Sequence, residues 1–214
     1  MNVNVNVNEA SAREQIVTVA RSIFTRSLTH GSSGNVSMRI RDRILVTPTG
    51  SSLGTVEPED LSVISLLGKH LDGAKPSKEA FLHAAMLRAR PTARAVVHTH
   101  STYSAAVSCL ADVDAENALP PLTAYFVMRV GSLPVLPYYA PGDTRLESLA
   151  ESTARNHHAM LLRNHGPVVA GGDLSTALDA LEELEETAKL FLMLHDRAVR
   201  PLTPAEVHDL RTRR

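Results

Sequence analysis

Between Ala12 and Leu28 the apolar positions Ile16, Val19, Ala20, Ile23 and Phe24 recur at helical spacing, which predicts an amphipathic helix over AREQIVTVARSIFTRSL. The rhythm then breaks at His30-Gly-Ser-Ser-Gly-Asn35, a run of turn formers. VSMRIRDRILVTPTG alternates apolar and polar residues on either side of Arg41-Asp42 and reads as a hairpin ended by Thr47-Pro48-Thr49-Gly50. LSVISL (61–66) is a further strand. Pro76-Ser77-Lys78-Glu79 opens EAFLHAAMLRAR, whose Ala, Leu, Met and Arg content favours helix, and Pro91 ends it. AVVHTH is a short β-branched strand, and LPVLPYY is extended and broken by proline. HAMLLRNHGPVVAGG holds two strands around Asn164-His165-Gly166. The longest periodic element is DLSTALDALEELEETAKLFLMLHD, with Leu174, Leu178, Leu181, Leu184, Ala188 and Phe191 as its buried stripe and glutamates opposite. There is no internal repeat and no long linker. Helices alternating with hairpins and mixed strands predict one layered α/β domain with a partly antiparallel sheet.

Composition narrows the class. A chain of 214 residues can bury about 70% of its unfolded surface, enough for a real core. The net charge of −1 gives no electrostatic footprint for nucleic acid, and the short basic end Arg211-Thr212-Arg213-Arg214 reads as a solvated terminus. A single cysteine, Cys109, excludes a disulfide framework within the chain and fits a reducing cytoplasm; after an Ala- and Val-rich segment it reads as a small core residue. No apolar run approaches the ~20 residues of a membrane helix. MNVNVNVNEA lacks the charged and apolar regions of a secretion signal, and residues 1–8 read as a flexible leader. The domain is expected over residues 9–200, with a C-terminal tail at 201–214.

The chemistry concentrates in the histidines. On a strand, positions i and i+2 share a face, so His98 and His100 can aim nitrogens at one point while Thr99 faces away. Neutral imidazoles are common ligands of divalent metals, but a catalytic site usually needs a third protein ligand. Spacing alone leaves open a pair of satisfied strand-end histidines. His165, at a turn beside Gly166, is the candidate third ligand, the glycine letting the backbone crowd a ligand or metal. His157 and His158 read as packing near a strand start, His83 as burial against its helix, and His30, His70, His195 and His208 as surface or loop residues. Glu79 is either a dipole-favoured glutamate in a first helical turn or a carboxylate that ligates a metal and moves a proton. Gly31-Ser-Ser-Gly-Asn35, Thr49-Gly50 and Ser77-Lys78 are small-residue loops of the kind that hold a phosphate; each alone could be only a turn.

GSSGNVS, VTPTG, PSKEAFLH, AVVHTH and LLRNHG, in this order, resemble the class II aldolase/adducin-like family from about residue 13 to about residue 197. The resemblance implies a single three-layer α/β/α domain with a mixed, mostly antiparallel central sheet. It implies that His98, His100 and His165 bind a metal, and that Glu79 is both the acid/base and the group closing the metal shell. It implies one divalent ion per subunit, zinc with manganese or cobalt as alternatives. It places phosphate contacts at Asn35, Thr49, Gly50, Ser77 and Lys78. Where the family usually has Ser-Ser-Glu, this chain has Ser77-Lys78-Glu79, so Lys78 would act through its backbone N–H or add its ammonium to the site.

The stretch LTAYFVMRVGSLPVLPYYAPGD looks most like the branch of the family that decarboxylates 3-oxo-tetronate 4-phosphates to dihydroxyacetone phosphate and CO2. The alternatives are a sugar-phosphate aldolase of the L-fuculose-1-phosphate type, a ribulose-phosphate 4-epimerase, or an adducin-like binding module without activity. The expected partner is a phosphorylated sugar acid, with no nucleic acid and no membrane. The resemblance further implies a homotetramer, with sites near subunit boundaries, in the cytoplasm.

Overall fold

The computed structural model describes residues 8–212. Residues 1–7 of the expected leader, and Arg213 and Arg214 of the expected tail, lie outside the described residues. The chain runs α1 (Glu9–Thr25), β1 (Asn35–Ile40), β2 (Arg43–Val46), β3 (Ser62–Ser65), β4 (His70–Asp72), α2 (Ala80–Ala89), β5 (Ala95–His98), α3 (Thr102–Cys109), α4 (Ala124–Arg129), β6 (Val135–Leu136), α5 (Leu146–Ala154), β7 (Ala159–Leu162), β8 (Gly166–Gly171), α6 (Leu174–Met193) and α7 (Pro204–Thr212). The strands form one sheet in the order β4-β3-β2-β1-β5-β8-β7-β6. Among the described residues only β6 and β7 pair in parallel; the other neighbours are antiparallel.

Strand alternation builds two cores, one on each face. Val36, Leu45, Val97, Leu161 and Val169 face one side, with Ile16, Ile23, Leu181 and Leu184 of α1 and α6 over them. Ile44, Val96, Met160 and Val168 face the other, under Leu82, Met86 and Leu87 of α2 and Leu146 and Ala150 of α5. Burying each such large side chain contributes about 1.5–3 kcal/mol, so apolar packing on both faces holds the layers together. The result is the expected three-layer α/β/α domain with a mixed, mostly antiparallel sheet. Among the described residues no helix is long and apolar enough to cross a membrane.

Three sequence expectations need correction. Cys109 is exposed at the end of α3, because that helix turns its other side, Ser104, Val107 and Ser108, inward. The buried face of α6 is made by Ala177, Ala180, Leu181, Leu184 and Ala188, while Leu178 and Phe191 are only half-buried. Small residues let the helix lie close to the sheet: a Cβ added at Gly171 would fall 2.4 Å from the Ala177 nitrogen. Finally, one glutamate of α6 points inward. Glu185 is buried and accepts hydrogen bonds from the backbone N–H groups of Tyr103 and Ser104, at 2.8 and 2.9 Å, and from the Ser104 hydroxyl at 2.6 Å. It satisfies donors that the N-terminus of α3 leaves free, immediately after the His98–His100 segment.

Candidate active site

The site forms where β1 and β5 run side by side. Their antiparallel register sets Asn35 directly opposite His98, on the face covered by α2. β5 ends at His98, so His100 stands beyond the strand, in the extended link to α3. That link still hydrogen-bonds to its neighbour through Thr99 N–H and the Pro167 carbonyl, at 3.3 Å. The turn between β7 and β8 is made by Asn164, in the left-handed region at φ 54, and it delivers His165 to the same end of the sheet. Glu79 is the N-cap of α2, but its side chain caps nothing. It turns instead into the histidines and is buried.

The four side chains converge. Nε2 of His165 lies 2.8 Å from Nε2 of His100 and 3.3 Å from Nε2 of His98. The Glu79 carboxylate reaches Nε2 of His98 at 3.2 Å through Oε2 and Nε2 of His165 at 3.3 Å through Oε1. All four ligand atoms lie within 4.8 Å of one another. Around a cation bound at about 2.0–2.1 Å by each ligand, tetrahedral neighbours stand about 3.3 Å apart. Three imidazole nitrogens facing one another, with a carboxylate between two of them, therefore fit a divalent ion. The His98 ring is fixed for this by its other nitrogen: Nδ1–H donates to the Pro167 carbonyl at 2.8 Å, leaving Nε2 toward the cluster.

Electrostatics agree with the geometry. Burial, then the repulsion that His98 and His165 exert when charged, push the His100 imidazole down to about 3. Burial and His98 push His165 down to about 4. Both are neutral near pH 7 and ready to donate a lone pair. Burial works to raise the Glu79 carboxyl, but attraction and hydrogen bonding from His98, attraction from His165 and the Asn35 amide outweigh it, so Glu79 stays well below the usual carboxylate range. Burial works to lower His98, and Glu79 outweighs it, so His98 is raised. Without a metal, Glu79 favours the protonated form of His98.

Above the histidines opens a cavity of about 230 Å³. All five residues expected at a phosphate, Asn35, Thr49, Gly50, Ser77 and Lys78, line it beside Glu79, His100 and His165. A bridge between Pro48 and Pro76, with Thr49 N–H donating to the Lys75 carbonyl at 3.0 Å, clamps two of the small-residue loops together. The third is pressed against β5 at Gly34, where φ is +80 and a Cβ would lie 2.9 Å from the His98 carbonyl oxygen. Ser32 and Ser33, from the candidate loop Gly31-Ser-Ser-Gly-Asn35, also line the cavity, as do Pro48 and Pro141, which the sequence did not offer as site residues. Pro141 arrives from the 138–145 loop, whose Gly142 packs on Lys78. His157 bonds Ser132 and His158 bonds the Arg129 carbonyl, both outside the cluster.

A larger cleft, about 470 Å³, opens at the opposite end of the sheet near Gly171 and Gly172. Its cations are already engaged, Arg129 with Asp179 at 3.1 Å and Arg90 with the Ala154 carbonyl at 2.9 Å, and the titratable cluster is not there. Size does not locate the chemistry in this protein.

Gly166 holds the histidine segments together in a way its sequence context only half suggests. A Cβ there would lie 2.2 Å from the Thr99 carbonyl oxygen and 3.4 Å from the His100 Cα. The close approach is to the neighbouring backbone, not to the metal position. Gly166→Ala is expected to push the His98–His100 link away from His165. That should lower stability by about 2–3 kcal/mol, seen as a Tm drop of about 5–10 °C, and weaken metal binding in titrations of the folded protein.

Comparison with known proteins places this site in a family. The sequence model described as the class II aldolase and adducin N-terminal domain matches residues 14–192. A 3-oxo-tetronate 4-phosphate decarboxylase of Haemophilus influenzae is 49% identical over 208 residues, covering 97% of this chain and 99% of the relative. An L-fuculose phosphate aldolase of Methanocaldococcus jannaschii is 37% identical over 183 residues, 85% of this chain and 96% of the relative. The crystal structure of YgbL from Escherichia coli superimposes with a TM-score of 0.92 at 46% identity, covering 95% of this chain and 99% of that one. With the motifs, the fold and the site all in the same order along the sequence, the chain belongs to the class II aldolase and adducin family.

Proposed function

We propose that this chain is a metal-dependent carbon–carbon lyase that decarboxylates a 3-oxo-tetronate 4-phosphate to dihydroxyacetone phosphate and CO2, with zinc as its ion. The observation that carries the reading is the 49% identity, over 97% of the chain, to a relative of that name. His98, His100 and His165 would hold the ion, and Glu79 would complete its shell until bound substrate takes that place and frees the carboxylate. When bound, the ion supplies Lewis-acid stabilisation of the negative charge that grows on the substrate's C3 oxygen. Breaking the C1–C2 bond releases CO2 and leaves the electron pair in an enediolate across C2 and C3. Glu79, facing the same point as the imidazoles, takes a proton from solvent and delivers it to C2, giving the product ketone. Asn35, Thr49, Gly50, Ser77 and Lys78 bind the phosphate, away from the reacting carbon, so their binding energy serves to orient it.

Incubation with 3-oxo-tetronate 4-phosphate, followed for CO2 and dihydroxyacetone phosphate, tests the reading. The aldolase reading is favoured by the 37% identity to an L-fuculose phosphate aldolase. Turnover of L-fuculose 1-phosphate, with none of the sugar acid, would put it first.

Among the described residues, Lys78 is the only lysine or arginine that lines the cavity. A substrate carrying both a carboxylate and a phosphate gives that ammonium a partner whichever end it meets. Lys78→Ala is expected to raise KM about tenfold while kcat stays within about threefold, since the charge binds ground and transition states alike. Steady-state kinetics on the decarboxylation check it; an unchanged KM would leave Lys78 to its backbone N–H.

A further inference from the structure

His83 lies one helical turn after Glu79, fully buried beneath the site, with both ring nitrogens engaged. Nδ1 is 2.6 Å from the Ser37 hydroxyl, and Nε2 meets Oδ1 of Asn35. Asn35 in turn directs its Nδ2 to the Ser77 hydroxyl at 3.0 Å and to Oε2 of Glu79 at 3.2 Å. We propose that His83 is a positioning residue that locks the Asn35 amide with its N–H groups toward Glu79 and Ser77. The inference rests on the lyase reading for the roles of Glu79 and Ser77.

The donor and acceptor pattern leaves one arrangement. An ionised carboxylate only accepts, so Asn35 must offer Glu79 its nitrogen and not its oxygen. Its oxygen then needs a donor, and His83 Nε2–H supplies it. The imidazole is neutral, burial pushing it down to about 3, so Nδ1 is bare and accepts the Ser37 O–H. A directional chain runs from Ser37 through His83 and Asn35 to Glu79, every link donating toward the carboxylate. Without the His83 donor, the buried Asn35 oxygen is left unpaired, and only the contacts to Ser77 and Glu79 oppose the amide's turning over. Oδ1 would then face Glu79 Oε2, acceptor against acceptor, and Ser77 would lose its donor. Both the group that moves the proton and one edge of the phosphate site would be misplaced, though neither is a hydrogen-bond partner of the His83 ring.

Two measurements on the zinc-loaded protein test this. Nitrogen-15 NMR of the wild-type imidazoles should find His83 neutral at pH 7 with its proton on Nε2; a proton on Nδ1 overturns the proposal, whatever the enzyme's substrate proves to be. Isothermal titration with inorganic phosphate then compares wild type with His83→Leu and His83→Gln. Leucine should weaken phosphate binding about tenfold and lower decarboxylation kcat about 10- to 100-fold, with metal content unchanged. Glutamine, whose amide N–H can reach Asn35 Oδ1, should recover phosphate affinity and kcat to within about fivefold of wild type. Equal defects in the two variants, at equal metal content and Tm, would reduce His83 to a packing residue. Phosphate binding and the tautomer do not depend on which sugar acid is turned over. A wild type inert toward 3-oxo-tetronate 4-phosphate therefore refutes the substrate reading separately.

Discussion

Glu79→Gln is expected to lose about a thousandfold in kcat while keeping its fold and most of its metal. The substitution changes neither shape nor volume. Its amide oxygen can still accept from Asn35 Nδ2, which lies 3.2 Å from Oε2 in the wild type. Three imidazoles remain to hold the ion, and the half-buried edge of the cluster lets an amide or water close the shell. Only the ability to carry a proton is lost. General acid–base groups contribute about 10²- to 10⁴-fold, and among the described residues no second carboxylate stands in the cluster to replace the first. The checks are dihydroxyacetone phosphate formation in steady state, metal content by elemental analysis, and Tm. The profile that supports the assignment is a collapse of kcat at unchanged Tm, with near-stoichiometric metal. A variant within threefold of wild type would remove Glu79 from proton transfer and leave it only as a ligand.

The parts of this site that could be read from the sequence are those where local pattern and chemistry coincide. His98 and His100 stand out because an apolar strand ends on them, and the strand is buried on both faces, as its lack of alternation implies. His165 and the turn at Asn164 are marked by Asn-His-Gly between two apolar runs. The loops that line the cavity are marked by glycines at positive φ, where a side chain would be strained, among them Gly34 and Gly50. What stayed hidden depends on residues distant in the chain. The helix α3 begins TYS, a poor helical start by propensity, and its N-terminus is satisfied by Glu185 from 81 or 82 positions away. On the periodic pattern of α6, that same glutamate belongs to the polar face. His83 was visible as a histidine four residues after Glu79, on a helix that buries it. Nothing local says that its ring bridges Ser37 and Asn35, because those partners come from β1. Periodicity reports which side of an element is buried, and it does not report what a buried polar group finds there.

His100→Ala is the sharpest test of the metal centre, because His100 is the ligand that can be cut back with the least damage elsewhere. His98 is fully buried and ties β5 to β8 through the Pro167 carbonyl, so its removal would confuse loss of metal with loss of fold. His100 stands beyond the strand end, half-buried at the cavity, and its Nε2 hydrogen-bonds within the cluster to His165. Truncating it cuts the four-ligand set to two imidazoles and Glu79, with one strong nitrogen ligand replaced by water. Metal affinity should fall by at least about a hundredfold, more than the loss usually seen for groups that only orient a ligand. After desalting, the wild type should retain close to one divalent ion per chain and His100→Ala almost none, with the metal-free Tm values of the two within about 2 °C. Proton linkage supplies an independent signature. Glu79 favours the protonated form of His98 in the metal-free protein, whereas burial pushes His100 and His165 down to about 3 and 4. Metal uptake competes with protonation of His98. Apparent affinity should therefore fall about tenfold for each pH unit below the His98 value, and flatten above it. An adducin-like binding module would show none of this: no retained ion, no proton released on adding zinc, and no difference between wild type and His100→Ala.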